Sequence, residues 1–443
     1  MFLSRITLTN LRSIESMTVD FAAPQGGNRK WTLLLGENGC GKSSVLRAIA
    51  MLLAGSDALI DLLGDPDAWI RNGARQCRIE GVLTTADGER REVALQINRG
   101  DTLKRVLSRN NESLQALDAA IVHTQRNYFV LGYGVSRRPP SNNKHAGVSD
   151  DGFRSPRARG LATMFSPDAG LVSLEQWAMD LEYRRGAQAL KAVRFALDHL
   201  LPDMVFRRID RENRRVMFTT PDGPVPLNQL SDGYQNMAAW CGDLLYRITE
   251  AFPDRKNPLE TRGVLLIDEL DLHLHPVWRR QLVAFLNATL PNFQVIATTH
   301  SALTAQQCGE GELFVIHRAG KNKRPALVPF VGEPRRMMLH QLLMSPMFGL
   351  ESMDSVEIEQ ARSGVRALAN KSVSSRTAAE AARLQQLRKV LKEAPSWDAV
   401  PKYEREQTAL IKEVKAALRS RGATKKVSPV KLKAMVKALG VVG

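Results

Sequence analysis

Residues 36–43 read Gly-Glu-Asn-Gly-Cys-Gly-Lys-Ser, which fits the spacing G-x-x-x-x-G-K-[ST]. Glycines at 36, 39 and 41 let a backbone curl tightly with its N–H groups turned inward, the arrangement a chain of phosphates needs. Lys42 then supplies a point charge for β- and γ-phosphates, and the Ser43 hydroxyl a ligand for Mg²⁺. An apolar run, Trp31 to Leu35, precedes the glycines. Val45, Leu46, Ile49, Leu52 and Leu53 follow at helical spacing up to Gly55. A strand before and a helix after are the context this motif requires, and the helix turns its positive end toward the same anion. The nucleotide-contact candidates are therefore Gly36, Glu37, Asn38, Gly39, Cys40, Gly41, Lys42, Ser43 and Ser44. A thiol at a helix N-terminus gains reactivity, so alkylation of Cys40, with protection by ATP, is expected.

The second candidate is Val264-Leu-Leu-Ile-Asp268-Glu269. Two carboxylates closing a buried strand are costly unless they meet cations or donors. Asp268 is suited to hold Mg²⁺ together with Ser43, and Glu269 to polarise a water for in-line attack on a γ-phosphate. Upstream, Leu230-Ser231-Asp232-Gly233-Tyr234-Gln235 opens a helix with Ser231 at its N-cap. The Ser231 hydroxyl and the Gly233 N–H there could close on the γ-phosphate held by a second copy. His300 ends the run Phe293–Thr299 and is a candidate phosphate sensor. His273 and His275 could donate two metal ligands from an extended segment, but no metal is assigned to them.

These motifs need a frame. Phe2–Phe21 alternates as two strands, and residues 78–98 read as a hairpin about Asp87-Gly88. A strand ending at Tyr133 meets a breaker-rich loop over 136–160. Leu174–Leu201 reads as helical and Val205–Thr219 as a hairpin. A helix then runs to Phe252, a buried strand follows at 263–269, and Pro276 opens another helix. Phe293–Thr299 and, last, Leu313–Arg318 read as strands. Strands alternating with helices give an α/β fold with a mainly parallel sheet, here joined by antiparallel β and α-helical parts. Beyond Pro334 the pattern becomes charged helices at 376–393, 404–420 and from Ser428. The expected domains are 1–330 and a basic helical 331–443.

Composition narrows the classes. Four cysteines in 443 residues, without a C-x-x-C, make neither a disulfide scaffold nor a zinc site. Neither a leader nor a spanning segment is legible, so a cytoplasmic protein is expected. The net charge is +16, yet residues 361–443 hold 19 basic and 6 acidic residues, leaving the rest nearly neutral. Such asymmetry points to a polyanion, nucleic acid first. Residues 331–443 contain no Asp-x-Asp and few acids, which argues against nuclease chemistry in this chain.

The order GENGCGKS, LSDGYQ, LLIDE, TTHS, with Asn10-Leu-Arg12-Ser13-Ile14 near the start, resembles the ABC-type ATPase heads of the RecF/SMC/OLD group. The Tyr-Gly-x-Ser-Arg-Arg stretch (133–138), SDGYQNM and IDELDLHLHP look most like the standalone ATPases of bacterial phage-defence systems, Septu-type or retron-associated. That resemblance implies two heads sandwiching two ATP molecules with Mg²⁺, Arg12 approaching the phosphates, and a separately encoded effector such as a nuclease. The alternative it leaves open is a RecF-like repair ATPase on gapped or duplex DNA; a membrane transporter's ATPase fits less well. The sequence departs from the group at Asp232, where a second glycine is usual, and in lacking an evident lobe-coupling Gln after Tyr133.

Overall fold

A computed structural model describes residues 2–393 except 24–25, 86–87, 124–128, 138–151, 187–189, 202–203, 222, 254, 256, 273, 320–323, 351 and 372–374. The chain divides into two compact units, residues 1–351 and 352–443.

A six-stranded sheet forms the centre of the first unit. Its order is Arg324–Pro329, Leu313–Ala319, Trp31–Gly36, Phe293–Thr299, Gly263–Ile267, Val130–Tyr133. All pairings are parallel except that of the first two strands. Strands 263–267 and 293–299 are buried at every residue, as expected of parallel strands covered on both faces. Alternation divides their side chains. Leu33, Leu35, Leu265, Ile267 and Val295 enter one apolar cluster, while Leu34, Val264, Leu266 and Ile296 enter another. The first cluster lies under the helices Leu174–Arg185, Leu190–Leu200, Asp232–Ala251 and Pro276–Thr289. The second holds the helix Lys42–Leu53 and a four-stranded antiparallel sheet, in which Phe2–Leu11 lies between Ile14–Asp20 and Gln76–Thr84, with Arg90–Asn98 outermost. Among the described residues the central sheet ends in the four-residue strand 130–133 on one side and in a strand carrying Pro325 and Pro329 on the other.

Two sequence expectations are corrected. The stretch Leu174–Leu201 is two helices, because the first ends at Gly186, whose φ of 73° with ψ of 176° is a backbone conformation that glycine admits and a helix cannot continue through. Strand 313–319 is not the last: it turns back into Arg324–Pro329, whose prolines had hidden it. Residues 331–351 stay with the first unit, and Phe330 and Leu342 sit in its first apolar cluster. In the second unit, Val356–Ala369 packs on Ala378–Glu393 closely enough that a Cβ at Gly364 would lie 2.7 Å from Leu387 Cδ1. Of the Leu384–Leu387–Leu391 stripe, Leu384 is buried. The helices expected over 404–420 and from Ser428, most of the loop at 136–160, and His273 lie outside the described residues. Among the described residues no helix is long and apolar enough to cross a membrane.

Candidate functional site

The glycine loop leaves the carboxyl end of strand 31–36 and closes at Gly41, whose φ of 103° makes it the left-handed N-cap of helix Lys42–Leu53. Gly36 admits no side chain: a Cβ there would press into the Ile316 carbonyl oxygen and lie 2.8 Å from Cys40 Sγ. Glu37, Asn38 and Gly39 are exposed on the rim, and Ser43 and Ser44 are partly buried in the first helical turn. Arg318 Nη2 donates to the Gly39 carbonyl at 2.7 Å and holds that rim to strand 313–319. Cys40 is 1% exposed and belongs to the second apolar cluster. The accessible thiol expected from its place in the loop is thus corrected to a packing residue, because its side chain turns under the glycines rather than toward the phosphate side.

Lys42 is buried, and all three of its ammonium protons are used. Nζ donates to the Gly36 and Glu37 carbonyls at 2.9 and 3.1 Å and meets His300 Nε2 at 2.8 Å. An ammonium has only donors, so toward Lys42 Nε2 can only accept, which the neutral Nδ1–H imidazole allows, whereas a proton on Nε2 would serve Glu269 instead. Burial and the Lys42 charge both pull the His300 pKa down. Glu269 Oε1 lies 3.1 Å from the same Nε2. Burial raises the Glu269 pKa, with Lys42 opposing. Lysine, histidine and glutamate, far apart in sequence, therefore share one cluster at the carboxyl edge of the sheet.

Behind them Asp268 is 3% exposed. Thr298 Oγ1 donates to its Oδ1 at 2.7 Å and accepts from the Glu269 N–H at 2.7 Å, so one hydroxyl fixes both acids. Glu269 has φ of 50°, a left-handed conformation that costs a non-glycine residue about 1–2 kcal/mol. Arg137 Nη2 donates to the Asp268 carbonyl at 3.0 Å and to that of Glu269. Neither Thr298 nor Arg137 was a sequence candidate. Thr298 was legible two residues before the strand-end His300, whereas Arg137 lies in the 133–138 stretch that carried the resemblance but, among the described residues, hydrogen-bonds to backbone carbonyls, which no side-chain pattern announces.

Among the described residues the remaining candidates form no hydrogen bond or ion pair with this cluster, although the turn carrying Arg12 abuts the glycine loop, where a Cβ at Gly41 would lie 3.5 Å from Ser13 Oγ. The Arg12 guanidinium stacks 4.0 Å from the Trp69 ring centre, at a residue with φ of 48°. Ser231 is the exposed N-cap of helix Asp232–Ala251, and its hydroxyl makes no capping bond. Gly233 lies in the first turn, and the start of the helix is pinned by Tyr234, whose ring meets Trp278 edge-on at 4.5 Å. Among the described residues neither Ser231 nor Gly233 bonds to the Lys42–Glu269 cluster. His275 accepts from the Val277 N–H at 3.4 Å as a helix cap.

The helix Asp232–Ala251 reaches back to the acids. Asp243 is wholly buried and accepts from Tyr133 Oη at 2.7 Å, Val172 N at 2.9 Å and Arg247 Nε at 2.7 Å. The Tyr133 carbonyl in turn accepts from the Asp268 N–H at 2.8 Å. Burial, then the Asp243 charge, raises the Tyr133 pKa well above its usual value.

Two family models match. "AAA ATPase domain" covers residues 1–101, and "AAA domain, putative AbiEii toxin, Type IV TA system" covers 166–305. Septu protein PtuA of Bacillus mycoides is 27% identical over 79% of this chain and 45% of its own length. "Retron Ec83 probable ATPase" of Escherichia coli is 30% identical over 32% of this chain and 26% of its own length. The match thus spans less than half of either relative. Among solved structures, the SMC head domain from Thermotoga maritima covers 75% of this chain and all of its own, at 15% identity and a TM-score of 0.41. The chain thus carries ATPase-domain matches at both ends of its first unit and is similar to the Septu and retron ATPases over the spans given.

Proposed function

We propose that the chain binds and hydrolyses ATP as the regulatory ATPase of a bacterial phage-defence system. The observation that carries the ATPase reading is the cluster at the sheet's carboxyl edge: Lys42, Glu269, His300 and Asp268 meet beside the glycine loop. ATP is the substrate, cradled by the backbone of 36–41 and the helix N-terminus, with Lys42 exchanging its internal acceptors for phosphate oxygens. Glu269, with its pKa raised, is the base for the attacking water, and neutral His300 donates a ring N–H to a γ-phosphate oxygen. Ser43 and Asp268 fit a Mg²⁺ ion: Thr298 engages only one carboxylate oxygen of Asp268. Magnesium there would offset phosphate charge. Ser231 and Gly233, away from this cluster with the hydroxyl uncommitted, serve the ATP of a second copy, so the working species is a head dimer.

The defence role rests on the Septu and retron relatives and includes a separately encoded effector, such as a nuclease. A nucleic-acid role rests on the basic residues 361–443, the feature that also keeps the RecF-like repair reading alive. Lys42→Ala should abolish nucleotide binding, while Glu269→Gln should bind ATP without turning it over. Mixing Ser231→Arg with Lys42→Ala protein should restore one working site per heterodimer. Wild-type turnover by Glu269→Gln refutes the base assignment, and shown heterodimers without activity refute the shared site. Stopping the chain after Leu350 should leave hydrolysis and remove the salt-dependent part of DNA binding. Isolation from its host should recover an effector protein; recovery of replication proteins alone supports the repair reading.

A further inference from the structure

Arg137 stands where three structural facts meet. Its guanidinium bonds to the carbonyls of both Asp268 and Glu269, so it holds the backbone of the two acids rather than their side chains. Glu269 is held in its left-handed conformation from both sides, by Thr298 at the N–H and Arg137 at the carbonyl. The same guanidinium lies 5.8 Å from the ring centre of Trp240, in the middle of the helix that begins at Ser231. Trp240 is 2% exposed and also meets Tyr133 edge-on at 5.9 Å. Burial lowers the Arg137 pKa to about 10, which leaves it a cation at neutral pH beside Asp268, Asp271 and Glu269.

A cation placed on two strand-end carbonyls, and not on a carboxylate, leaves the carboxylates free for their own work. It also resists relaxation of Glu269 toward ordinary backbone angles, which would swing the carboxylate away from His300 and Lys42. Its far side rests on the one helix that carries Ser231 and Gly233. A shift of that helix is therefore transmitted to the Asp268–Glu269 backbone through two groups, to both carbonyls by Arg137 by way of Trp240 and to the Asp268 N–H by Tyr133 by way of Asp243.

We propose that Arg137 is a positioning residue for ATP hydrolysis: it sets the backbone conformation of the Asp268–Glu269 turn and makes it responsive to the helix Asp232–Ala251. The proposal rests on the ATPase reading above. It asks Arg137 for orientation in the transition state and not for ATP affinity, so its loss should appear in kcat.

The test compares Arg137→Ala, Arg137→Gln and Arg137→Lys in the full chain with MgATP, together with thermal melting and binding of a fluorescent ATP analogue. We expect kcat to fall by about tenfold or more in the Ala and Gln variants, with KM for ATP within about twofold of wild type. Lysine can reach both carbonyls with separate protons, so Arg137→Lys should recover kcat to within about threefold of wild type. A general loss of fold would lower melting and the fraction of chains that bind the ATP analogue, so kcat is taken per binding-competent chain; the Gln and Lys variants, similar in volume, carry the comparison if the Ala variant does not fold. The proposal is overturned if Arg137→Gln keeps kcat within about twofold of wild type, if its loss falls on KM alone, or if lysine does no better than glutamine. A wild-type chain that binds ATP but never hydrolyses it overturns the ATPase reading instead, and the Arg137 role with it.

Discussion

Replacing Asp243 by alanine should be strongly destabilising to the first unit. The carboxylate is wholly buried and accepts from a phenol, a backbone amide and a guanidinium whose side chain is only 14% exposed. Breaking such a pair leaves Arg247 as an uncompensated, largely buried charge, a loss of about 3–5 kcal/mol. Unfolding entropy is about 2 cal/mol/K per residue, so for a unit of some 350 residues each kcal/mol moves the melting temperature by about 1.4 °C. The expected shift is thus about 4–7 °C downward. Tyr133→Phe removes one neutral donor and leaves two, so it should cost about 1 kcal/mol, or 1–2 °C. Asp243→Asn keeps the shape and one acceptor but not the charge, and should fall between. Differential scanning calorimetry of the three variants at one concentration and scan rate decides it. Equal shifts for Asp243→Ala and Tyr133→Phe would mean that the network holds the helix by shape alone, and the argument from charge would be refuted.

Three further outcomes follow from the geometry. Tyr133, one of six tyrosines, should resist ionisation in an alkaline titration followed by phenolate absorbance. Its pKa is raised in the fold, so its stabilising share is intact below the unfolded value of about 10 and is lost as pH rises through the folded value; six tyrosines titrating together in folded protein would contradict this. Gly36→Ala should lose ATP binding and about 3 kcal/mol or more of stability, because the new methyl meets backbone, whereas Gly39→Ala has room and should cost only about 1 kcal/mol for its positive φ. All four thiols are buried, and burial pushes those of Cys77 and Cys241 up to about 12, so a thiol reagent should find none until the chain unfolds; rapid modification of Cys40 in folded protein would restore the reactive-loop expectation.

The parts of the site that must be made from particular residue types were readable in the sequence. Only glycine permits the approach at Gly36 and the left-handed cap at Gly41, and only a lysine with a following hydroxyl serves the phosphate end. The strand Gly263–Ile267 announced itself because burial on both faces demands an unbroken apolar run. What stayed hidden depends on contacts between distant segments. Arg137 follows a strand like any loop arginine, and its partners are carbonyls 131 and 132 residues away. Asp243 and Arg247 look like an ordinary exposed helical pair until Tyr133 and Val172 are folded onto them. The strand Arg324–Pro329 was missed because its prolines read as breakers, although an edge position tolerates them. Leu103–Arg109 and Asn111–His123 were not expected as helices, although Leu103, Val106 and Leu107 and then Leu114, Leu117 and Ile121 recur at helical spacing and pack into the second apolar cluster.

The two margins of the central sheet limit how copies of this chain can join. One margin offers four residues of strand, too short to template a stable added strand, and the other has two prolines that lack N–H groups. Main-chain zippering, which recruits partners with little regard for side chains, is thereby discouraged at both ends. At this sheet, among the described residues, assembly is left to surfaces whose side chains must match. For a protein whose proposed working form is a transient pair around nucleotide, that keeps association dependent on the ligand and protects crowded, partly occupied heads from irreversible edge-to-edge growth.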